Sequence, residues 1–333
     1  MSGAVLASRA GYIGALDELA ARRSAIVSST HWPGPDDFAD AARTPHYVVA
    51  VGGSAAVAQV VVEALHRAGV EVAHVRLEPD EVDAPDGSRD RRFVFVSASG
   101  ASRSMAAAID RCAGGTTAPL LFTLDPRSTC AVRTRRAGGR VVAPDTSVAA
   151  AEFLATTNLV TLLWLVVHAF AGPASARAFA RAFDRGRLLP APASVVLRRV
   201  SRIGVISDAA GRAAAIDFGT RCRELGGHPV TELSFADFVH GSYNAVQAAK
   251  RSDVPWTVLF AGRGRALALA KLFPVDPTRP CTVVPVAGPG FASQARALGY
   301  SLSLHRAFVE AVLPESWVLP YTPLGVALWN RYR

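Results

Sequence analysis

The feature that most constrains the fold is an apolar segment that leads directly into a cluster of serines and then into a helical pattern. Residues 93–96 are apolar, Ser97, Ser99, Gly100 and Ser102 follow, and an alanine-rich helical pattern begins immediately afterwards. This order predicts a buried strand, a tight loop and a helix, the repeating unit of a parallel α/β sheet. A helix start offers unpaired N–H groups and a positive dipole end. The pattern therefore predicts a phosphate-binding loop, although serines that only cap a helix give the same pattern.

The same alternation of apolar runs and helical patterns continues along most of the chain. Further strands are predicted at residues 47–53, 70–77, 119–124 and 139–143, and in the second half at 202–207, 229–235, 256–262, 282–288 and 301–307. Those of the first half are largely continuous apolar runs, which is typical of parallel strands covered on both faces. Helices are predicted at 16–27, 54–68, 128–136 and 209–225, with others after the serine cluster, within 172–187 and around 324–332.

One apolar run, residues 153–172, approaches the length of a membrane span. Thr156, Thr157, Asn158 and His168 interrupt it, and no cationic flank lies close to either end. It is therefore predicted to be a buried helix, and no contact with a membrane is expected.

The second half of the chain resembles the first. Residues 203–209 correspond to residues 49–55, and both segments lead into a helical pattern that stops at a glycine. The fold class predicted is α/β, with two similar doubly wound parallel-sheet halves in tandem. The predicted organisation is an N-terminal helical segment (1–45), a first domain with the phosphate loop (46–172), a junction (173–193) and a second domain (194–333).

Charge and cysteine content exclude several function classes. The net charge is +9, which suits an anionic ligand, but the arginines are scattered and not interleaved with aromatic residues, so no nucleic-acid partner is expected. The four cysteines have neither CxxC spacing nor a histidine at ligand spacing, so we expect no metal and reduced thiols.

The N-terminus shows no signal pattern, and a cytoplasmic location is expected. The turn Gly52-Gly53-Ser54 lacks the third glycine of G-x-G-x-x-G, so no dinucleotide cofactor is expected.

Two residues of the second half are candidates for proton transfer. Glu224 lies near the end of a predicted helix and His240 lies between a predicted strand and a helix, sixteen residues further on. A carboxylate can move a proton between adjacent carbons, and a histidine can open a sugar ring. From spacing alone, a solvated helix end for Glu224 and a packed or capping role for His240 are the favoured explanations.

Taken together, these motifs resemble the tandem sugar isomerase (SIS) family, including the isomerase half of glucosamine-6-phosphate synthase and the fructosamine-6-phosphate deglycases. Residues 97–102 (SASGAS) are similar to the family's Ser-x-Ser-Gly-x-Thr phosphate loop, and Arg221-x-x-Glu224 and Val239-His240-Gly241 are similar to its Lys-x-x-Glu and Lys-His-Gly. The resemblance covers roughly residues 45–333, with Arg221 in place of a lysine and Ser242 in place of a proline.

The resemblance implies a flavodoxin-like fold for each half and an enzyme that acts on a phosphorylated sugar or amino sugar. It implies Glu224 and His240 as catalytic residues. The substrate-binding residues that it implies are Gly53, Ser54, Ser97, Ser99, Gly100, Ser102, Val148 and Arg221. The expected reaction is aldose–ketose isomerisation through proton transfer between C1 and C2, with a deglycase or deaminase, or a non-catalytic sugar-phosphate sensor, as alternatives. The family's use of a histidine from the neighbouring subunit implies a homodimer.

Overall fold

The computed structural model of the chain describes residues 8–17, 19, 46–82, 92–113, 117–148, 156–226, 228–242, 254–262, 264–265, 268, 280–286 and 290–316. The polypeptide divides into two units, and the division falls between Ala176 and Arg177. A first helix, α1 (Arg9–Asp17), precedes both sheets.

The first unit contains a parallel sheet of five strands in the order β2-β1-β3-β4-β5. The strands are β1 (His46–Ala50), β2 (Val72–Leu77), β3 (Arg92–Val96), β4 (Leu120–Phe122) and β5 (Arg140–Val142). Helices α2 (Ser54–Arg67), α3 (Arg103–Arg111) and α4 (Thr129–Arg136) follow β1, β3 and β4. Strands β1, β3 and β4 are largely apolar and largely buried, as expected for parallel strands covered on both faces. Phe95, Met105 and Ile109 pack together in one core cluster.

The long apolar segment forms α5 (Thr156–Arg187), which is interrupted at Gly172 with φ 76° and ψ 175°. Pro173 follows the break, since proline cannot continue the hydrogen-bond ladder of a helix. Trp164 Nε1 spans the break and donates to the carbonyl oxygen of Ala176 at 2.8 Å. Among the described residues, α5 is the helix that is long and apolar enough to cross a membrane, and 67% of its most apolar window is buried within the protein.

The second unit contains a parallel sheet of four strands in the order β7-β6-β8-β9. The strands are β6 (Arg202–Ser207), β7 (Val230–Ser234), β8 (Pro255–Gly262) and β9 (Cys281–Val286), with α6 (Arg212–Leu225) and α7 (Phe291–Val312) as its main helices. Phe218 of α6 packs edge-on against Trp256 of β8, with ring centroids 5.3 Å apart. The two units share the relative order of their first four strands. The prediction of a tandem, doubly wound α/β fold is confirmed.

Two local predictions are wrong. Residues 301–307 do not form a strand, because they lie inside α7. The run SLSLHRA mimics the alternation of a strand, but the buried positions Leu298, Ser301, Leu302 and His305 recur with helical spacing. The N-terminal helix begins at Arg9 and not near residue 16. Most of the helix predicted at 16–27 lies outside the described residues, and so does the helix predicted at 324–332.

Candidate functional site

The serine loop lies at the point where the strand order of the first unit reverses. The chain leaves β1 in one direction to form β2, and leaves β3 in the other direction to form β4. Ala50 at the end of β1 is paired with Val96 at the end of β3, so the segments that follow start side by side. Ligands of open α/β sheets bind in the crevice at this topological switch point. Gly53 and Ser54 form one side of this crevice and residues 97–102 form the other.

Hydroxyl groups of the serine loop hold the loop in shape. Ser97 Oγ accepts a hydrogen bond from the Gly100 amide at 3.2 Å, and Ser99 Oγ accepts one from the Ala101 amide at 3.3 Å. Ser102 is the N-cap of α3, because its Oγ accepts from the Met105 amide at 3.3 Å. These contacts organise the loop from within and bring its backbone to the start of α3.

Two amides at the start of α3 are available to an anion. The N–H groups of Arg103 and Ser104 have no acceptor among the residues that the structure describes. Ser104 Oγ lies 3.0 Å from Ser102 Oγ, which places two hydroxyl groups beside these amides. The first N–H groups of a helix carry the positive end of its dipole, and together with hydroxyl donors they are suited to phosphate oxygens.

Gly100 is required by both backbone geometry and space. Its φ is +59°, and a Cβ atom at this position would lie 2.1 Å from Ser128 Oγ. Ser128 caps α4 by accepting from the Ala131 amide, and the Cys130 amide donates to the Gly100 carbonyl oxygen at 2.9 Å. The loop therefore packs tightly against the start of α4. Sequence reasoning missed this role of Ser128, although its position as a helix cap was visible.

The glycine turn after β1 differs from the serine loop in its hydrogen bonding. The amides of Ser54, Ala55 and Ala56 all donate to carbonyl oxygens of the turn itself, at 3.0–3.2 Å. Gly52 has φ +54° and would have open space around a Cβ atom. These three amides are already satisfied, so this turn can contribute the Ser54 hydroxyl and a wall of the crevice, whereas the backbone donors come from the start of α3.

Val148 is held near the serine loop by two backbone hydrogen bonds. The Val148 amide donates to the Leu124 carbonyl oxygen at 3.0 Å, and the Leu124 amide donates to the Ala98 carbonyl oxygen at 2.9 Å. The structure thus brings the segments after β3, β4 and β5 together at one edge of the sheet. Seven of the eight predicted substrate-binding residues lie at this edge, and the eighth, Arg221, belongs to the second unit.

Glu224 lies in the last turn of α6 and is half-buried. The pKa of its carboxyl group is raised to about 7, chiefly by burial; the charge of Arg221 opposes this rise, Asp217 adds to it and Arg223 opposes it. No hydrogen bond or ion pair to this carboxylate is formed by the described part of the chain. A carboxylate with a pKa near neutrality can accept a proton from carbon and return it, because neither direction is strongly uphill.

Arg221 is almost fully buried, with 3% of its surface exposed. Its Nε and Nη2 both lie 2.7 Å from Asp217 Oδ1, one helical turn earlier on α6. Asp217 Oδ2 accepts from Ser301 Oγ of α7 at 2.7 Å. Within the described residues, the guanidinium of Arg221 is bound to Asp217. The predicted contact of Arg221 with substrate stays a prediction. The i, i+4 spacing of Asp217 and Arg221 was the signal in the sequence that could have revealed this pair.

His240 is exposed and lies in a single π-helical turn, Phe238–Ser242. This turn follows β7, whereas Glu224 precedes β7. Five residues of strand span about 13 Å, so β7 separates the two catalytic candidates within the second unit. The structure does not bring Glu224 and His240 of one chain to the same end of the sheet.

No group of three or more His, Cys, Asp or Glu side chains that could hold a metal ion occurs in the described ranges.

Comparison with solved structures identifies the fold. The chain is similar to tagatose-6-phosphate ketose/aldose isomerase from Escherichia coli, with TM-score 0.62, 13% identity and coverage of 96% of this chain and 100% of that chain. It is similar to the C-terminal domain of glucosamine-fructose-6-phosphate aminotransferase from Francisella tularensis, with TM-score 0.60, 13% identity and coverage of 90% and 96%.

A third similar structure is glucosamine-6-phosphate deaminase from Thermotoga maritima, with TM-score 0.57, 12% identity and coverage of 90% of this chain and 96% of that chain. No protein-family model and no curated protein sequence matches the chain. The chain therefore has the tandem fold of SIS-domain phosphosugar isomerases, and the predicted structural resemblance is confirmed.

Proposed function

We propose that this protein is an enzyme that binds a phosphorylated sugar or amino sugar and interconverts its aldose and ketose forms. The observation that carries the proposal is the crevice between β1 and β3. There, the free amides of Arg103 and Ser104 and the hydroxyls of the serine loop converge at the start of α3. A phosphate group supplies the charge and the acceptor oxygens that this set of donors lacks.

In the proposed mechanism the phosphate holds the substrate by its end that does not react. His240 assists ring opening, as a proton leaves the C1 hydroxyl and another reaches the ring oxygen. Glu224 then takes the proton from C2 of the open aldose while O1 gains a proton from water, which gives an enediol. Loss of the O2 proton to water and transfer of a proton from Glu224 to C1 give the ketose, and the proton on Glu224 can exchange with solvent between the two steps. Proton transfer by a positioned side chain contributes about 10²–10⁴-fold to the rate of such reactions.

The separation of Glu224 and His240 by β7 favours a homodimer in which the histidine of one chain serves the glutamate of the other. The exposed position of His240 agrees with such a role. We also propose a cytoplasmic location, since Cys112, Cys130, Cys222 and Cys281 are all free thiols.

The test is incubation of the protein with fructose 6-phosphate, glucosamine 6-phosphate and glycated-amine phosphates, followed by NMR in D2O. The proposal predicts a new sugar isomer with deuterium at the reacting carbon. Release of free amine would assign the deglycase or deaminase reaction. If none of these sugar phosphates is turned over but one of them raises the melting temperature of the protein, the protein is a sugar-phosphate sensor and not an enzyme.

A substitution of Glu224 tests whether this residue is the catalytic base. Glu224→Gln is expected to lower kcat by at least about 10²-fold while phosphosugar affinity changes little, because the phosphate loop lies in the other unit. The matched control is Glu310→Gln, which removes an exposed carboxylate that pairs with Arg306 on α7. Unchanged turnover in Glu224→Gln would remove this residue from the mechanism.

A further inference from the structure

A group of four buried polar side chains joins α6 to α7 inside the second unit. Arg221 and Asp217 of α6 form a buried ion pair, in which Nε and Nη2 of the arginine both lie 2.7 Å from Asp217 Oδ1. Ser301 of α7 donates to the other carboxylate oxygen, Asp217 Oδ2, at 2.7 Å. His305, one turn further along α7, forms a hydrogen bond with the main chain of Arg221. At most 3% of each of these residues is exposed, so water screens the two charges little.

Stability alone does not explain a charged pair between two packed helices. Moving a carboxylate and a guanidinium out of water costs several kcal/mol per ion, and apolar side chains of similar volume often give equal or greater stability. The buried ion pair therefore points to a role beyond stability. The next ionisable residue on the same face of α6 is Glu224.

The spacing of Arg221 and Glu224 permits an ion pair that the structure does not form. Glu224 follows Arg221 by three residues within α6, and side chains three residues apart on a helix are neighbours, with Cβ atoms about 5–6 Å apart. Nε and Nη2 of Arg221 instead contact Asp217, four residues earlier. The guanidinium is thus held toward the preceding turn of α6, whereas Glu224 lies in the following turn. Glu224 has no ion-pair partner within the part of the chain that the structure describes.

The two charges of the buried ion pair have opposite effects on Glu224. Burial is the main reason that the pKa of Glu224 is raised to about 7; the charge of Arg221 opposes this rise and that of Asp217 adds to it. Asp217 therefore offsets the positive charge beside Glu224. Loss of the Asp217 charge leaves that of Arg221 uncompensated, which favours the deprotonated form of Glu224 and makes it a weaker base.

The other ionisable groups around Glu224 lie on α6, β7 and α7. Arg223 of α6 also lowers the pKa of Glu224, and it pairs with Glu232 of β7 at 2.8 Å. On α7, the pKa of His305 is lowered to about 3, chiefly by burial and then by the charge of Arg221. This ring is therefore uncharged at neutral pH. The buried ion pair thus supplies the charges on the α7 side of Glu224 among the described residues.

We propose that Asp217 and Ser301 are positioning residues for Glu224, because they hold the guanidinium of Arg221 in a neutral pair and leave the glutamate as an unpaired base. Ser301 fixes the carboxylate from α7, and the carboxylate fixes the guanidinium on α6. The role of Glu224 as the base rests on the proposed function, whereas the effect of the pair on its charge does not depend on any substrate.

The experiment is a pH titration of Glu224 by NMR of the glutamate side-chain carboxyl carbon, with the signal assigned by its loss in Glu224→Gln. Asp217→Asn is expected to lower the titration midpoint by at least about one pH unit, because a positive charge beside the carboxylate becomes unbalanced. Ser301→Ala, which frees the Asp217 carboxylate from α7, is expected to lower the midpoint by a smaller amount. An unchanged midpoint in folded Asp217→Asn, or in Ser301→Ala if Asp217→Asn does not fold, overturns the inference.

Two further variants show whether the shift is specific. The matched control is Ser303→Ala, which removes a hydroxyl of the same helix that donates to the Leu189 carbonyl oxygen at 3.4 Å, and no shift is expected. Asp217→Asn with Arg221→Gln removes both charges of the pair and is expected to return the midpoint toward the wild-type value. A midpoint that stays low in this double variant would show that the effect does not arise from Arg221.

Turnover of a sugar phosphate provides the second readout. The acidic limb of the pH profile of kcat/KM is expected to move with the NMR midpoint, whereas a purely structural role of Asp217 would lower the rate and leave the limb in place. A moved midpoint in a protein that converts no sugar phosphate contradicts the proposed function alone. A limb that stays in place while the midpoint moves contradicts the positioning role.

Discussion

At the scale of single residues, the properties of Glu224 arise from its position on α6. It is half-buried, three residues after Arg221 and seven after Asp217, and burial outweighs the two arginines in setting its pKa. Arg221 is bound to Asp217, so it acts on Glu224 through its charge and not as a direct partner. The result is a carboxyl group that titrates near neutral pH.

This pKa predicts how stability depends on pH. The pKa of Glu224 is raised from 4.5 to about 7 in the folded protein. Protonation therefore favours the folded state; the contribution is fully present below pH 4.5 and is lost as the pH rises through 7. It amounts to at most about 3 kcal/mol. Glu224→Gln removes this loss, so the variant is expected to be more stable than wild type at pH 8 and similar at pH 4.5.

Urea unfolding at several pH values between 4.5 and 8 measures this difference, with Glu310→Gln as the control for an exposed carboxylate. The same pH slope in wild type and Glu224→Gln would contradict the raised pKa. If turnover is found, its rate is expected to increase as the pH rises through about 7, because the base acts in its deprotonated form.

A second prediction at this scale compares two glycines to separate the cost of backbone strain from the cost of steric overlap. Gly52 and Gly100 have similar φ values of +54° and +59°, but a Cβ atom meets nothing within 4 Å at Gly52 and lies 2.1 Å from Ser128 Oγ at Gly100. Gly52→Ala is expected to cost about 1 kcal/mol from strain alone. Gly100→Ala is expected to cost about 1–3 kcal/mol more from crowding and to weaken phosphosugar binding. Equal losses in urea unfolding would show that Ser128 moves aside freely.

At the scale of elements, most strands could be predicted because buried parallel strands are continuous apolar runs. The clearest exception is β7, whose sequence VTELS contains polar residues. The alternating SLSL inside α7 was misleading, since its helical periodicity becomes clear only over the whole of residues 291–312. The hydrogen bond between Ser301 and Asp217 depends on how α7 packs against α6, which local patterns do not encode.

The link between α6 and α7 gives the next prediction. Arg221 and Asp217 are 4% and 2% exposed, so Asp217→Asn leaves a buried guanidinium without its carboxylate. The expected cost is about 3–5 kcal/mol of unfolding free energy. The contrasting control is Glu63→Gln, which breaks the more exposed pair with Arg67 and is expected to cost at most about 0.5 kcal/mol.

A double variant checks the physical reason for that cost. Asp217→Leu with Arg221→Met removes both charges, so it is expected to be less destabilising than Asp217→Asn alone. If the double variant is the less stable of the two, the penalty comes from packing and not from an uncompensated charge.

At the scale of the whole molecule, the chain uses one topology twice with different chemistry at the switch points. The first unit presents serines, a glycine that permits close approach and two amides with no acceptor in the described part of the chain, and the second presents the Asp208 carboxylate directly after β6 and a glutamate of raised pKa in the last turn of α6. The duplication was visible in the sequence, because residues 49–55 and 203–209 match. The hydrogen bond from the Gly262 amide to Asp208 Oδ2 was not visible, since it joins segments 54 residues apart.

The central claim is that the serine loop of the first unit holds the phosphate of a sugar phosphate. The most direct measurement is calorimetric comparison of fructose 6-phosphate with fructose, on wild type and on Ser99→Ala with Ser102→Ala. Wild type is expected to bind the phosphorylated sugar at least about 100-fold more tightly, equivalent to about 2.7 kcal/mol, and the variant is expected to lose most of that preference. Equal affinity of the wild-type protein for the two sugars, or a preference that the variant retains in full, would contradict the account.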